Sequence, residues 1–237
     1  MNSDNLKRRS SYVIPHPLKN FRRRGASQND ESGVIDAIVS AIPMRRRFFV
    51  EFGIGPNYHD PDYSRGLEGN CVDLATKGWD GLFMDGGAHP PQYGVKQEFI
   101  TAGNINDLLR KYEVPTDFSL ISIDVDGQDL WIWQALSYGP ELAIIEYNPN
   151  FGPSDSLSAP IDHDFRWDGT KYYGASLAAQ NKIARSKGYH LVYANGVNAF
   201  FIKRHLIKNL SDFKFEEIFV RRDEHQVDAA ARKFVQI

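Results

Sequence analysis

Five apolar runs in this sequence end in polar or acidic side chains. Phe48-Phe49-Val50-Glu51-Phe52 leads into Gly53-Ile54-Gly55, and Gly81-Leu82-Phe83-Met84 ends at Asp85. Phe99 to Ala102 precedes Gly103-Asn104, and Phe118 to Ile123 ends in Asp124-Val125-Asp126-Gly127. Leu142 to Tyr147 carries Glu146 and meets Asn148. Short apolar runs rich in β-branched and aromatic residues read as buried strands. Ligands of open α/β sheets sit beyond the carboxyl ends of their strands. Five polar strand ends in succession therefore outline a site.

The chemistry of each end differs. Gly53 and Gly55 let backbone approach a ligand closely, and Glu51, read as lying just inside that loop, offers a carboxylate to an amine or hydroxyl. Asp85 closes the second strand, where a carboxylate accepts the two hydroxyls of a ribose; its alternative is a helix cap. Asn104 and Asp124 are further candidates for cofactor contact. A dinucleotide fingerprint needs Gly-x-Gly-x-x-Gly, and Tyr58 stands at the third glycine position. That substitution favours a nucleoside cofactor without phosphates, such as S-adenosylmethionine. Asp124, Asp126 and Glu146 close neighbouring strands, and clustered carboxylates must be protonated, paired or bound to a cation. Oxygen ligands suit Mg²⁺ or a related hard ion; the alternative is that Asp124 caps a helix and Asp126-Gly127 is a turn. His89 and His163 are the candidate site histidines. Asp124 and His163 are the candidate proton acceptors for a hydroxyl substrate, with Asp162 and Asp164 beside the histidine. Trp167, Tyr172 and Tyr173 can stack on a sugar or aromatic ring. Trp131 and Trp133 read as packing residues and Cys71 as a small core residue.

The elements that must position these groups follow from pattern. Strands alternating with helices predict a mostly parallel sheet covered on both faces. Val34, Ile35, Ile38, Val39 and Ile42 recur at helical spacing behind Ser27-Gln28-Asn29-Asp30-Glu31, which can start a helix. Helices are also expected over 71–77, 107–112 and 176–187, and a short third strand over 99–102. His190 to Ala194 and Ala199 to Lys203 are joined by only Asn195-Gly196-Val197-Asn198, a link that demands an antiparallel pair. Residues 149–173 have no period and read as a lid or binding insertion. Residues 1–26 form a basic arm in which Pro15 and Pro17 break any helix, read as solvated and dispensable for folding. Residues 204–237 read as a mostly helical extension of the domain at 27–203.

The 237 residues suffice for one large α/β domain. Hydrophobic residues make up 42% and charged residues 24%, a globular balance. A net charge of −2 implies no general nucleic-acid surface. No apolar run nears the ~20 residues of a membrane span. The single cysteine excludes an internal disulfide and fits a reducing, cytoplasmic setting. These quantities leave a homo-oligomer open.

Phe49-Val50-Glu51-Phe52-Gly53, Gly78-Trp79-Asp80-Gly81-Leu82, Ile123-Asp124-Val125-Asp126-Gly127 and Asn198-Ala199-Phe200-Phe201 together resemble the class I S-adenosylmethionine-dependent methyltransferases. Within them the chain is similar to the FkbM-like branch, whose "IDVEG" box matches Ile123 to Gly127 with Asp126 in place of Glu. The Ser27-Gln28 segment resembles the start of that branch's first helix, and the likeness spans residues 27–203. It implies a Rossmann-like, doubly wound seven-stranded sheet with a reversed last strand. It also implies cofactor at Glu51, Gly53, Gly55 and Asp85, and O-methylation of a sugar or natural product. Asp85-Gly86-Gly87 departs from the branch's Glu-Gly-Asp. The expectation is a methyltransferase acting on a hydroxyl of a small-molecule or glycan acceptor. The alternatives are a nicotinamide oxidoreductase, or a methyltransferase-like fold that only binds.

Overall fold

A computed structural model describes residues 10–56, 66–223 and 225–237. Helix α1 is Glu31–Ala41, followed by β1 (Phe48–Phe52), β2 (Gly55–Pro56), β3 (Leu67–Glu68), α2 (Val72–Thr76), β4 (Asp80–Asp85) and β5 (Lys96–Gln97). Next come α3 (Ile105–Lys111), β6 (Leu120–Ile123), α4 (Asp129–Ala135), β7 (Leu142–Glu146) and β8 (Leu157–Ser158). The remainder is α5 (Leu177–Ser186), β9 (Tyr189–Ala194), β10 (Asn198–Lys203), α6 (Phe215–Ile218) and β11 (Val235–Gln236).

Seven strands form one sheet in the order β5-β4-β1-β6-β7-β10-β9. All neighbours pair in parallel except β10, which runs against both β7 and β9. The short link at Asn195–Val197 forces that reversal. β1 lies between β4 and β6, with Phe52 opposite Met84 on one side and Ile123 on the other. The tips of these three strands are thereby held side by side.

The strand side chains divide between two cores because successive residues point to opposite faces. Val50, Ile121 and Ile145 pack with α3, α4 and α5, while Phe49, Leu120 and Ile144 pack with α1 and Cys71. Trp133 is fully buried in the first core, and Trp131 donates from Nε1 to the carbonyl of Ala159 at 2.9 Å. This is the mostly parallel α/β architecture expected from sequence.

Three local expectations are corrected. The third strand is Lys96–Gln97, which pairs with Met84 and Asp85; Phe99 to Ala102 is unpaired, because the edge of β4 is already taken. The basic arm is not wholly solvated. Ile14 and Leu18 are buried in the core beside α1, and Tyr12 bridges to Ile207. Two apolar anchors outweigh the charge around them, and Arg22 and Arg23 pair with Asp30 and Asp36 at the surface. Among the described residues, 204–237 hold two three-residue 3-10 helices, Arg204–Leu206 and Leu210–Asp212, and the four-residue α6, not a mostly helical extension. Phe213 is buried in one core while Phe215 and Phe219 pack on the other, so the anchors follow the sheet edge instead of one helical stripe.

The tail beyond α6 runs along the segment 149–173. The amide of Arg222 donates to the carbonyl of Pro149 at 3.1 Å, and that of Lys171 to Gln226 at 2.8 Å. β11 pairs with β8, and Phe234 packs edge-on to Phe151. Among the described residues no helix is long and apolar enough to cross a membrane.

Candidate functional site

The carboxyl ends of β1, β4, β6 and β7 meet above the sheet, and each brings an acid. Glu51 lies within β1, not in the loop after it. Its carboxylate accepts the backbone N–H of Asn70 at 2.5 Å and of Cys71 at 2.9 Å. It therefore closes the turn before α2 while still lining the cavity beyond the strand ends. Burial raises the carboxyl to about 7, against the lowering effect of those two N–H donors.

Gly53 adopts φ +73°, and a Cβ there would stand 1.4 Å from the carbonyl oxygen of Asp124. The loop after β1 thus touches the loop after β6, which only glycine permits. Asp85 accepts the N–H of Gly87 at 2.6 Å, and His89 Nε2 lies 3.1 Å away, both on Oδ1.

Asp124, Asp126 and Glu146 come together, each offering a carboxylate oxygen within 4.8 Å of the others. Burial raises Asp124 well above the carboxylate range, and the charges of Asp129, Asp126 and Glu51 add to it. Burial also raises Glu146 well above its usual value, with Asp124 beside it. Asp126 is raised by burial and then by Asp85, and it occupies the left-handed region at φ 56°. Glu146 Oε2 is shielded from solvent with no hydrogen-bond partner among the described residues. Such a set is electrostatically incomplete: it takes up protons, or it takes a cation.

Asp124 does not cap α4: the helix starts at Asp129 behind Gln128, whose side chain makes no cap hydrogen bond. Asp129 is fully buried and accepts the N–H groups of Val125 at 2.8 Å and Gly127 at 3.0 Å. Its carboxyl is pushed up to about 7, chiefly by burial. Sequence reading passed over it, although Asp126-Gly127-Gln128-Asp129 places an acid in the first turn of the next helix.

Three adjoining chambers share Asp124 and Asp126. The largest, of 610 Å³, is lined by Gly53, Gly55, Asp85, His89, Tyr93 and Asn198 among others. A second, of 370 Å³, lies between Phe99–Thr101 and the segment carrying His163, Phe165 and Trp167. The third, of 360 Å³, is lined by Glu146, Trp167, Tyr173, Arg222 and His225. Gln28 joins the first chamber to the third.

The structure thus brings Glu51, Gly53, Gly55, Asp85, Asp124, Asp126 and Glu146 to one rim. It does not bring Asn104 there. That side chain braces its own loop, accepting from Thr101 N at 2.7 Å and donating to Phe99 O at 2.8 Å. His163 lines the second chamber and is not among the residues of the chamber that holds Glu146. Tyr58 lies outside the described residues. His225 and Arg222 reach the third chamber from the tail, and no local motif marks them.

No protein-family model, no curated protein and no solved structure matches the chain.

Proposed function

We propose that this chain is an S-adenosylmethionine-dependent methyltransferase acting on a hydroxyl, assisted by a divalent cation. The observation that carries the reading is the charge of the main chamber. Among the described residues no lysine or arginine lines the 610 Å³ space, while Glu51, Glu68, Asp85, Asp124 and Asp126 do. An anionic dinucleotide finds no countercharge there, whereas a sulfonium and an ammonium meet carboxyl groups that ionise against a bound cation. This disfavours the nicotinamide alternative on electrostatic grounds. The seven-stranded sheet with its reversed β10 agrees with the class I resemblance, although a fold alone assigns no chemistry.

The residues fit the two groups. Both described bonds to Asp85 fall on Oδ1, so Oδ2 is available to ribose hydroxyls, and Gly53 and Gly55 keep the rim open. When bound, the cofactor supplies a methyl group on a positively charged sulfur. Asp124, Asp126 and Glu146 would hold the cation, which lowers the pKa of a coordinated hydroxyl. The protein's own part is chiefly to position the acceptor and exclude water.

Calorimetry with S-adenosylhomocysteine and with NAD⁺ tests the cofactor. The expected result is binding of the first alone, weakened in Asp85→Ala by about 1.5–3 kcal/mol, the range for a hydrogen bond to a charged group. Binding of NAD⁺ alone overturns the proposal. Thermal unfolding with and without Mg²⁺ tests the cation. Ligand carboxylates must be deprotonated, so the stabilisation should be larger at about pH 8 than at about pH 5. Identical melting with Mg²⁺ and with chelator at both values removes the metal from the reading.

A further inference from the structure

We infer that the 360 Å³ chamber is the acceptor subsite, and that His225 meets the acceptor's hydroxyl there. Three observations converge on this one space. Nδ1 of His225 and Oε2 of Glu146 are both shielded from solvent and without a hydrogen-bond partner among the described residues, and both residues line the chamber. Buried polar atoms are nearly always paired; with Glu146 facing the cation, Nδ1 of His225 is the unpaired atom left on this cavity for the acceptor to complete.

The imidazole is also held in place. Its ring stands edge-on to Trp167 at 5.1 Å and to Tyr173 at 5.2 Å, with interplanar angles of 79° and 68°. Trp167 is fixed in turn, donating from Nε1 to the carbonyl of Thr170 at 2.7 Å, yet it is 38% exposed and faces two chambers. A rigid, partly open indole beside unpaired acceptors is a stacking platform with polar ends. The chemistry it fits is a ring that carries a hydroxyl.

The third observation is how His225 gets there. The pairings of Arg222 with Pro149 and of Lys171 with Gln226 bracket it in sequence. They hold its backbone against the wall formed by 149–173. The site is completed by the tail and not by the sheet.

For the reaction, this inference rests on the methyl-transfer reading; for binding it does not. In the reaction the hydroxyl oxygen forms a bond to the methyl carbon of S-adenosylmethionine. The carbon–sulfur bond breaks with its electron pair on sulfur, leaving the neutral thioether S-adenosylhomocysteine, and the hydroxyl proton passes to Nδ1 of His225.

The test is calorimetry and saturation-transfer NMR on the full chain with S-adenosylhomocysteine and Mg²⁺, using methyl hexopyranosides and catechols as probes. At least one probe class should bind saturably. His225→Phe preserves the ring contacts and removes Nδ1; it should weaken that probe about tenfold, the size of one good hydrogen bond. Its affinity for S-adenosylhomocysteine should stay within about twofold and its melting temperature within a few degrees. Trp167→Ala should weaken the same probe. Where a probe is methylated, imidazole should restore part of the turnover lost in His225→Ala, which a structural role would not allow. The subsite is overturned if no probe binds while S-adenosylhomocysteine does, or if the probes bind His225→Phe as well as they bind the unaltered chain. If S-adenosylhomocysteine fails to bind while a probe binds and requires His225, the subsite stands and the methyl donor falls.

Discussion

At the scale of the residue, the site is governed by carboxyl groups held where they are costly to ionise. Glu51 shows the consequence most clearly, because its carboxyl rises from 4.5 to about 7 on burial. Between those values the folded chain holds a proton that the unfolded chain has released. Its stabilising contribution is therefore complete below about pH 4.5 and is lost as pH rises through 7. At 1.36 kcal/mol per pKa unit, this amounts to on the order of 3 kcal/mol. Urea denaturation between about pH 5 and about pH 8 should show stability falling as pH rises, and falling less steeply in Glu51→Gln. Equal slopes in the two proteins would show that Glu51 ionises normally. Asp124, Asp129 and Glu146 are raised too, so the comparison with the variant, not the slope alone, isolates Glu51. The same electrostatics makes the rim receptive to a cation, since deprotonated carboxylates at this separation repel one another.

At the scale of the element, function depends on keeping the tips of β1 and β6 in contact. Gly53 is the point of contact, with φ +73° and Asp124's carbonyl where a side chain would begin. Gly53→Ala combines left-handed strain with a backbone clash. It should cost more than about 2 kcal/mol and weaken any ligand held by the rim. Gly55 serves as the control. A Cβ there meets nothing within 4 Å, so Gly55→Ala should change stability by no more than about 0.5 kcal/mol. Chemical denaturation of the two variants tests the distinction; equal losses would show that the β1–β6 contact is not what Gly53 provides. From the sequence both glycines read as parts of one Gly-x-Gly loop. Only the neighbouring strand separates them.

At the scale of the whole molecule, the two ends of the described chain close the architecture. The tail carries His225 to the third chamber, and the arm packs Ile14 and Leu18 into the core that α1 and β9 share. Burying one such apolar side chain contributes about 1.5–3 kcal/mol. A protein beginning at Gly25 should therefore lose roughly 3–6 kcal/mol and melt on the order of 10 °C lower. Melting within a degree or two of the full chain would mean that the arm adds nothing to the core. This reverses the expectation from composition, which weighed seven basic residues and two prolines and overlooked two well-spaced apolar ones.

What the sequence determined by itself was whatever depends on neighbours along the chain. Apolar runs of strand length located β1, β4, β6 and β7, and helical spacing located α1. A link too short for a crossover fixed β10 as antiparallel. Because parallel strands put their carboxyl ends on one side, Asp85, Asp124, Asp126 and Glu146 were legible as one site before any contact was known. Tertiary structure decided which atoms of that site are free. Glu51 directs its oxygens at Asn70 and Cys71, Asn104 braces its own loop, and Asp129 ties the turn before α4 through the amides of Val125 and Gly127. It also decided where His163 and His225 lie. A side chain's partners depend on which loops pack over the sheet, and that is settled by burial between residues far apart in sequence, on which local periodicity carries no information.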